Sequence, residues 1–509
     1  MDNNNFTKVA ENITSSAEGA VKLASTLDPF VDQFAKAALY REPRKYEEIA
    51  VDQEVLYAID PIMTIKLSLY FRIITRNVND FGMHRGTGLK NESILRIKWL
   101  LVNHYDMMRP YLCLLPILGS WKDLFELRTL APEYMIKGGI YELIDQGITN
   151  VNTCELVKKY LPTIQNEPKT ERALIRTNIA KTLAKRWFKV KPYEQYRKLK
   201  ASGTAHQWQQ AISKGKPINF DTVAGKALSL LVHSKYLESH NLVNDYLKWL
   251  DTKEDVKCTS FVGELFGDLS NEVLRQTANK QFAKLIKNLN VENTSYLTVV
   301  DCSGSMASQA IGSNTTSLNL AYAIALYFSY TLKGVFADHY ATFDRVCTLR
   351  KFTGNTPVEK FLNASSHEAY GPTNLQSVAD MFIRTKRQGV KEGDFPKGIL
   401  LISDGEFANA GEYTEFENFK INLLKGGFSQ EFVDNFKVVL WDIPNSYYGC
   451  PRVQFETTAD TPNVFYMSGL DPATIAFIFE DKVIKRPAPR TPRELLEAAM
   501  SQPILELVK

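Results

Sequence analysis

Up to about residue 289 the apolar residues of this chain recur three and four positions apart; beyond Asn290 they gather into short uninterrupted runs that alternate with helical ones. A polar leader precedes an amphipathic stretch over 28–38. The helical spacing then repeats in 61–76, 92–105, 120–130, 141–148, 172–188, 220–237 and 271–289. The spacing predicts an all-α first half, and successive helices with short polar connections fit either a bundle or an array of stacked helical pairs.

After Asn290 the apolar runs 294–301, 336–344, 345–352, 398–404, 436–443 and 463–469 read as buried strands. Helical patterns at 318–333, 374–388, 414–427 and 471–481 lie between them. That alternation predicts a doubly wound, Rossmann-like α/β sheet, mostly parallel, with the hairpin 336–352 as an antiparallel edge. The expected organisation is multidomain: a leader and helix over 1–50, a helical region over 51–289, an α/β domain over 290–485 and a tail over 486–509. A chain of 509 residues exceeds what one hydrophobic core serves.

No apolar stretch reaches the roughly 20 residues of a membrane span, and the start MDNNNFTKVAEN lacks the basic and apolar regions of a secretory signal. Six scattered cysteines without a CxxC pair fit a reducing compartment. A cytoplasmic protein with no membrane partner is the expectation. The net charge of +4 is unremarkable, but its distribution is not. Between Pro168 and Lys200 eleven Lys or Arg face only Glu171 and Glu194, a local +9 that leaves about −5 for the remainder.

In an open α/β sheet, sites form at the carboxyl ends of strands, and three segments fall there. Asp301-Cys302-Ser303-Gly304-Ser305-Met306 ends the first strand, Asp404-Gly405-Glu406 ends the strand 398–404, and Gly371-Pro372-Thr373-Asn374 opens a helix between them. Carboxylates from Asp301 and Asp404 with hydroxyls from Ser303, Ser305 and Thr373 would make an all-oxygen shell suited to Mg²⁺, Mn²⁺ or Ca²⁺ and poor for zinc. The bland alternative is a strand-ending turn and a helix cap. In order and placement these residues resemble the metal-ion-dependent adhesion site of von Willebrand factor A domains, which identifies 290–485 as a domain of that type. A nucleophilic role for Ser303 or Ser305 would need a histidine base, His339 or His367, and neither sits in a catalytic context; G-x-S-x-G is absent at this turn. No enzymatic activity is expected.

The helical half joined to such a domain resembles the Ro autoantigen group, the TROVE-module proteins, and more closely a TROVE-like family. The resemblance is carried by LGSWKDLFEL (118–127), RTNIAKTLAKRW (176–187), INFDTVAGKALSLLVHSKYLESH (218–240), TVVDCSGSM, AYGPTNLQSVADMFI (369–383) and FPKGILLISDGEFANA (395–410), across most of 60–485. It implies a HEAT-like ring of helical repeats closed by the A domain, and an RNA-binding, ribonucleoprotein-type scaffold. No RNA-contact position transfers residue by residue, so the candidates rest on this chain's own chemistry. Lys181, Lys185, Arg186 and Lys189 recur at helical spacing around Trp187 and Phe188, with Tyr193 and Tyr196 following. Cations of this kind neutralise phosphates while aromatic faces stack unpaired bases; the competing reading is a solvated helix face covering apolar surface. A second basic cluster, Arg72, Arg76, Arg85 and Lys90, includes the loop GMHRGTGLK, which lacks the ending of a P-loop. The partners expected are RNA and, as the alternative, an acidic protein group gripped through the metal.

Overall fold

The computed structural model describes residues 12–15, 21–78, 81–130, 139–203, 217–223, 225–258, 260–289, 295–366, 374–406, 414–445, 447, 455–478 and 486–509. It divides into two compact units: Pro43–Val223 with Met500–Lys509, and Met1–Glu42 with Ala224–Ala499. The expected boundary at 290 marks where helices give way to strands. The contacts draw it earlier, because helices between 225 and 289 pack against the sheet-bearing part. Phe266 stacks on Phe361 at 4.6 Å, and Phe282 meets Tyr327 and Tyr330 edge-on. Gly263 lies so close to the helix Ser317–Ser329 that a Cβ would fall 2.2 Å from Leu320 Cδ1.

In the helical unit the main helices are Tyr46–Ile59, Pro61–Tyr70, Lys90–Asn103, Lys122–Leu130, Ile140–Thr149, Cys154–Tyr160, Glu171–Trp187 and Pro192–Ala201. Their starts are legible. Asp60 caps Pro61–Tyr70 by accepting from Met63 N, with proline at the first helical position, and Thr170 accepts from Ala173 N ahead of Glu171–Trp187. The first half is nevertheless not all helical. β1 (Ile13–Ser15) pairs with β2 (Val21–Leu23) in the sheet unit, and β3 (Arg76–Val78) pairs with β4 (Gly82–His84) in the helical unit.

The helix expected over 61–76 stops at Tyr70 because the following carbonyls are taken by the loop after β4. Gly88 N bonds Ile73 O at 2.9 Å and Leu89 N bonds Phe71 O at 2.6 Å. With Arg85 N on Gln502 and Gly86 N on Thr75, the amides of Arg85, Gly86, Gly88 and Leu89 are consumed internally rather than presented as a phosphate cradle. Gly86 is required at this crossing, since a Cβ would lie 2.5 Å from Ile73 Cβ and 2.8 Å from Tyr70 O. Gly86→Ala is expected to destabilise the helical unit by about 1–3 kcal/mol, the usual cost of overpacking, read as a lower urea midpoint of its helical signal.

The sheet unit carries a six-stranded sheet in the order β10-β9-β8-β5-β6-β7. Its strands are β5 (Tyr296–Asp301), β6 (His339–Phe343), β7 (Thr348–Lys351), β8 (Gly398–Ser403), β9 (Lys437–Asp442) and β10 (Val464–Ser468). All pairings are parallel except β6 with β7, which forms the antiparallel edge the hairpin pattern predicted. β5 and β8 are buried along their whole length, as expected of central strands covered on both faces. Leu297, Val299, Ile399 and Leu401 join a core with Phe382, Phe395, Phe419 and Phe436. The helix Ser317–Ser329, buried along almost all its length, packs against β5, β6 and β8.

The N-terminal segment is stitched onto this unit. Leu23 and Phe455 exchange backbone hydrogen bonds of 2.7 and 3.0 Å, and Asp28 pairs with Arg493 at 2.7 Å. Among the described residues no helix is long and apolar enough to cross a membrane.

Candidate metal centre and nucleic-acid interface

Parallel pairing of β5 with β8 sets Val300 beside Ile402, so the next rung brings Asp301 beside Ser403, and Asp404 stands one residue further on. Four of the five residues singled out as oxygen donors meet at this edge. Ser303 N donates to Asp301 Oδ1 at 2.8 Å, the Ser303 and Ser305 hydroxyls are 3.1 Å apart, and Asp404 Oδ1 accepts from Glu406 N at 3.4 Å. Thr373 and His367 lie outside the described residues.

Two partners complete the cluster that sequence reasoning missed. The Ser403 hydroxyl donates to Asp301 Oδ2 at 2.6 Å, and Asn445 Nδ2 donates to Asp404 Oδ2 at 2.9 Å and to Ser305 O at 3.2 Å. His339, the described candidate for a base, stands at the amino end of β6, the opposite edge from Ser303, and bonds Ala337 O.

The electrostatics of this edge are unbalanced. Asp301 is 0% and Asp404 6% exposed, and neither has an ion-pair partner among the described residues. Burial, reinforced by Asp404, pushes the Asp301 carboxyl up to about 7 against hydrogen bonds from Ser403 and Ser303. Burial likewise raises Asp404, against bonds from Ser305 and Asn445. A third carboxyl, Asp442 at the end of β9, is raised well above the ordinary range by burial and then by Asp404 and Glu406, and both its oxygens are sealed without a hydrogen-bond partner. Lys22, contributed by β2, acts against the rise at Asp442; it pairs with Glu456, and burial pulls its ammonium down to about 7.

Enclosed negative charge in excess of cations is costly unless protons or a metal ion neutralise it. The donors at Asp301, Ser303, Ser305 and Asp404 are all oxygen, the chemistry of a hard divalent ion. Among the described residues no group of three or more His, Cys, Asp or Glu is arranged to chelate a metal, so the serine hydroxyls are integral to that fit.

The basic residues separate into three sets. Arg72 is interior: it is 3% exposed and holds Asp123 through two nitrogens at 2.7 and 2.8 Å, which removes it from any phosphate surface. Arg76 donates to the carbonyls of Ile117 and Gly119, and the Arg85 backbone exchanges hydrogen bonds with the Gln502 side chain. Arg186 and Trp187 are engaged locally, both bonding Asp145, with the indole stacked on Tyr196 at 5.9 Å. Lys185 and Lys189 are exposed and Lys181 half-buried, and the three have no ion-pair partner among the described residues.

The third set forms a cleft of about 350 Å³ in the helical unit. Arg172 and Arg176, one turn apart on Glu171–Trp187, line it together with Lys200, Lys159 and Lys122 from three other helices. No carboxylate lines it among the described residues; Glu126 lies behind it and pairs with both arginines. Burial and then Arg176 lower the Lys200 ammonium, whose Nζ donates to Leu161 O. Lys122 and Lys159 were missed by sequence reasoning because they lie outside the basic run.

A family model described as "Domain of unknown function (DUF7788)" matches residues 295–500, the stretch that carries the sheet and its carboxyl-edge cluster. No curated protein matches the chain. Among solved structures the chain is similar to the crystal structure of the Deinococcus radiodurans RO (RSR) protein. That similarity covers 88% of this chain and 93% of that one at 10% sequence identity, with a TM-score of 0.32. Agreement of that degree does not establish a common fold.

Proposed function

We propose that this protein is a non-enzymatic RNA-binding scaffold whose helical unit engages phosphates through the cleft between Lys122, Lys159, Arg172, Arg176 and Lys200. The observation that carries the reading is the convergence of five cations from four helices on one concave surface with no carboxylate in its lining among the described residues. Cations gathered in a cleft focus a positive potential that draws a polyanion. Lys181 and Lys185 on Glu171–Trp187, and Lys189 two residues past its end, are assigned a secondary, non-specific contribution.

Filter binding of mixed single-stranded and structured RNAs tests this. Replacing Lys122, Lys159 and Arg172 together by Gln is expected to weaken binding at least about tenfold, while Lys185→Gln with Lys189→Gln costs less. Absence of binding at low salt, or binding unchanged by the triple substitution, overturns the reading.

A second reading is favoured by a different observation, the buried and mutually repelling Asp301 and Asp404 beside two serine hydroxyls. In it the sheet unit is a von Willebrand A-type module. Asp301, Ser303, Ser305 and Asp404, with Thr373 as the fifth donor, would hold Mg²⁺, Mn²⁺ or Ca²⁺, and the ion would accept an acidic group of a protein partner. A partner captured by the wild type should then be lost with EDTA and with Asp301→Ala. Capture insensitive to both removes this reading.

A further inference from the structure

We infer that the cleft of the helical unit is a pocket for the phosphorylated end of an RNA strand, taking a terminal phosphomonoester in preference to an internal phosphodiester. The inference rests on the RNA-binding reading and narrows it to one chemical group.

Size comes first. At about 350 Å³ the cleft lies near the bottom of the ~300–1,000 Å³ range of small-ligand sites. That is room for a single nucleotide and too little for a duplex. A strand enters such a space most simply by its end.

Charge comes second. An internal phosphodiester carries a single negative charge, whereas a monoester carries roughly −1.5 to −2 at pH 7, with a second pKa of about 6. Five cations line the cleft and one carboxylate, Glu126, pairs with two of them, so an excess of positive charge remains that attracts a dianion more strongly than a monoanion. Arg172 and Arg176 offer planar donors one helical turn apart, the geometry that grips phosphate oxygens in pairs. Lys122 and Lys159 add exposed ammonium groups from two other helices.

The local backbone adds to this without carrying it. Thr170 and Ala173, at the start of Glu171–Trp187, line the cleft, so the positive end of a 17-residue helix faces the same space. The ring of Tyr160, with Lys159 Nζ 5.3 Å from its centroid, is a face on which the terminal base can stack.

The test is competition for the full-length protein among three unlabelled RNA decamers of one sequence, bearing a 5′-phosphate, a 3′-phosphate, or hydroxyls at both ends. Each displaces a labelled reference RNA. One phosphorylated decamer is expected to compete at about tenfold lower concentration than the hydroxyl form, the scale of one additional charge-assisted contact. That advantage should shrink at pH 5.5, where the monoester takes up its second proton.

In the Lys122→Gln, Lys159→Gln double variant every decamer should compete less well, but the phosphorylated one should lose more, so that its advantage over the hydroxyl form vanishes. Both lysines are exposed, and neither forms an ion pair among the described residues, so the fold does not depend on them. Equal competition by all three decamers overturns the end-recognition inference and leaves RNA binding standing. An advantage that survives in the double variant places the phosphate elsewhere and overturns it too. No displacement by any decamer at low salt removes the inference together with the reading beneath it.

Discussion

Asp123→Ala is expected to destabilise the helical unit by about 3–5 kcal/mol, because it strands a buried guanidinium. Asp123 is 0% exposed and Arg72 only 3%, and their carboxylate and guanidinium meet through two nitrogens. The same Asp123 oxygen accepts from Ser120 N at 2.9 Å, closing the turn that starts Lys122–Leu130. Arg72 has no room to withdraw, since its guanidinium carbon lies 2.2 Å from where a Cβ on Gly119 would stand. Against a typical total of about 5–15 kcal/mol for a domain, such a loss is a large fraction. Hydrogen exchange of the helices Lys90–Asn103 and Lys122–Leu130 reads it directly, as loss of protection confined to the helical unit. A change below about 1 kcal/mol would mean that water reaches Arg72 and that the pair is not structural.

The second large effect is the response of the sheet unit to a divalent cation. An ion bound only by the folded state stabilises it by about 2.7 kcal/mol at a hundred times its Kd. For a unit of this size, at about 2.1 cal/mol/K of unfolding entropy per residue, that is roughly 4 °C in Tm. Mg²⁺ or Ca²⁺ should produce the shift in the wild type. Asp301→Asn, which keeps the shape and removes the charge, should abolish it while leaving the cation-free unit no less stable.

The pH dependence has a definite sign. Asp301 titrates near 7 in the folded unit and in the ordinary carboxylate range when unfolded, so between those values the folded state holds the extra proton. Without cation, its contribution to stability is therefore present below the ordinary carboxylate range and is lost as pH rises toward 7. A cation competes with that proton, so cation affinity should rise from pH 5 to pH 8. Affinity that is flat or falls over that interval would show that Asp301 is not a ligand.

The sheet was legible because its central strands are buried on both faces and so read as unbroken apolar runs, with the antiparallel edge following from a hairpin too short to cross over. Asp301, Ser303, Ser305 and Asp404 were legible because a strand's end and a two-residue spacing are local properties. Ser403 and Asn445 were not. Ser403 reaches Asp301 only through cross-strand register, and Asn445 lies past β9 in chain with no periodic pattern. Arg72 shows the same limit on the helical side. An arginine in a helical row looks alike whether it faces water or an aspartate 51 residues away. β3 and β4, three residues each, are too short to display alternation, and Ile73 and Ile74 extended the helical spacing past its true end. The charge count over 168–200 included Arg172, Arg176 and Lys200 without singling them out from the other cations of the run, and Lys122 and Lys159 join them only through helix packing.

The salt dependence of RNA binding by the full-length protein tests the central claim most directly. Five cations on the phosphates of a single strand predict log K falling against log salt with a slope of roughly −3.5, at about −0.7 per contact. Replacing Lys122, Lys159 and Arg172 by Gln should reduce that slope by about 2. No measurable binding at low salt, or a slope that the triple substitution leaves unchanged, would contradict an RNA-binding cleft in the helical unit.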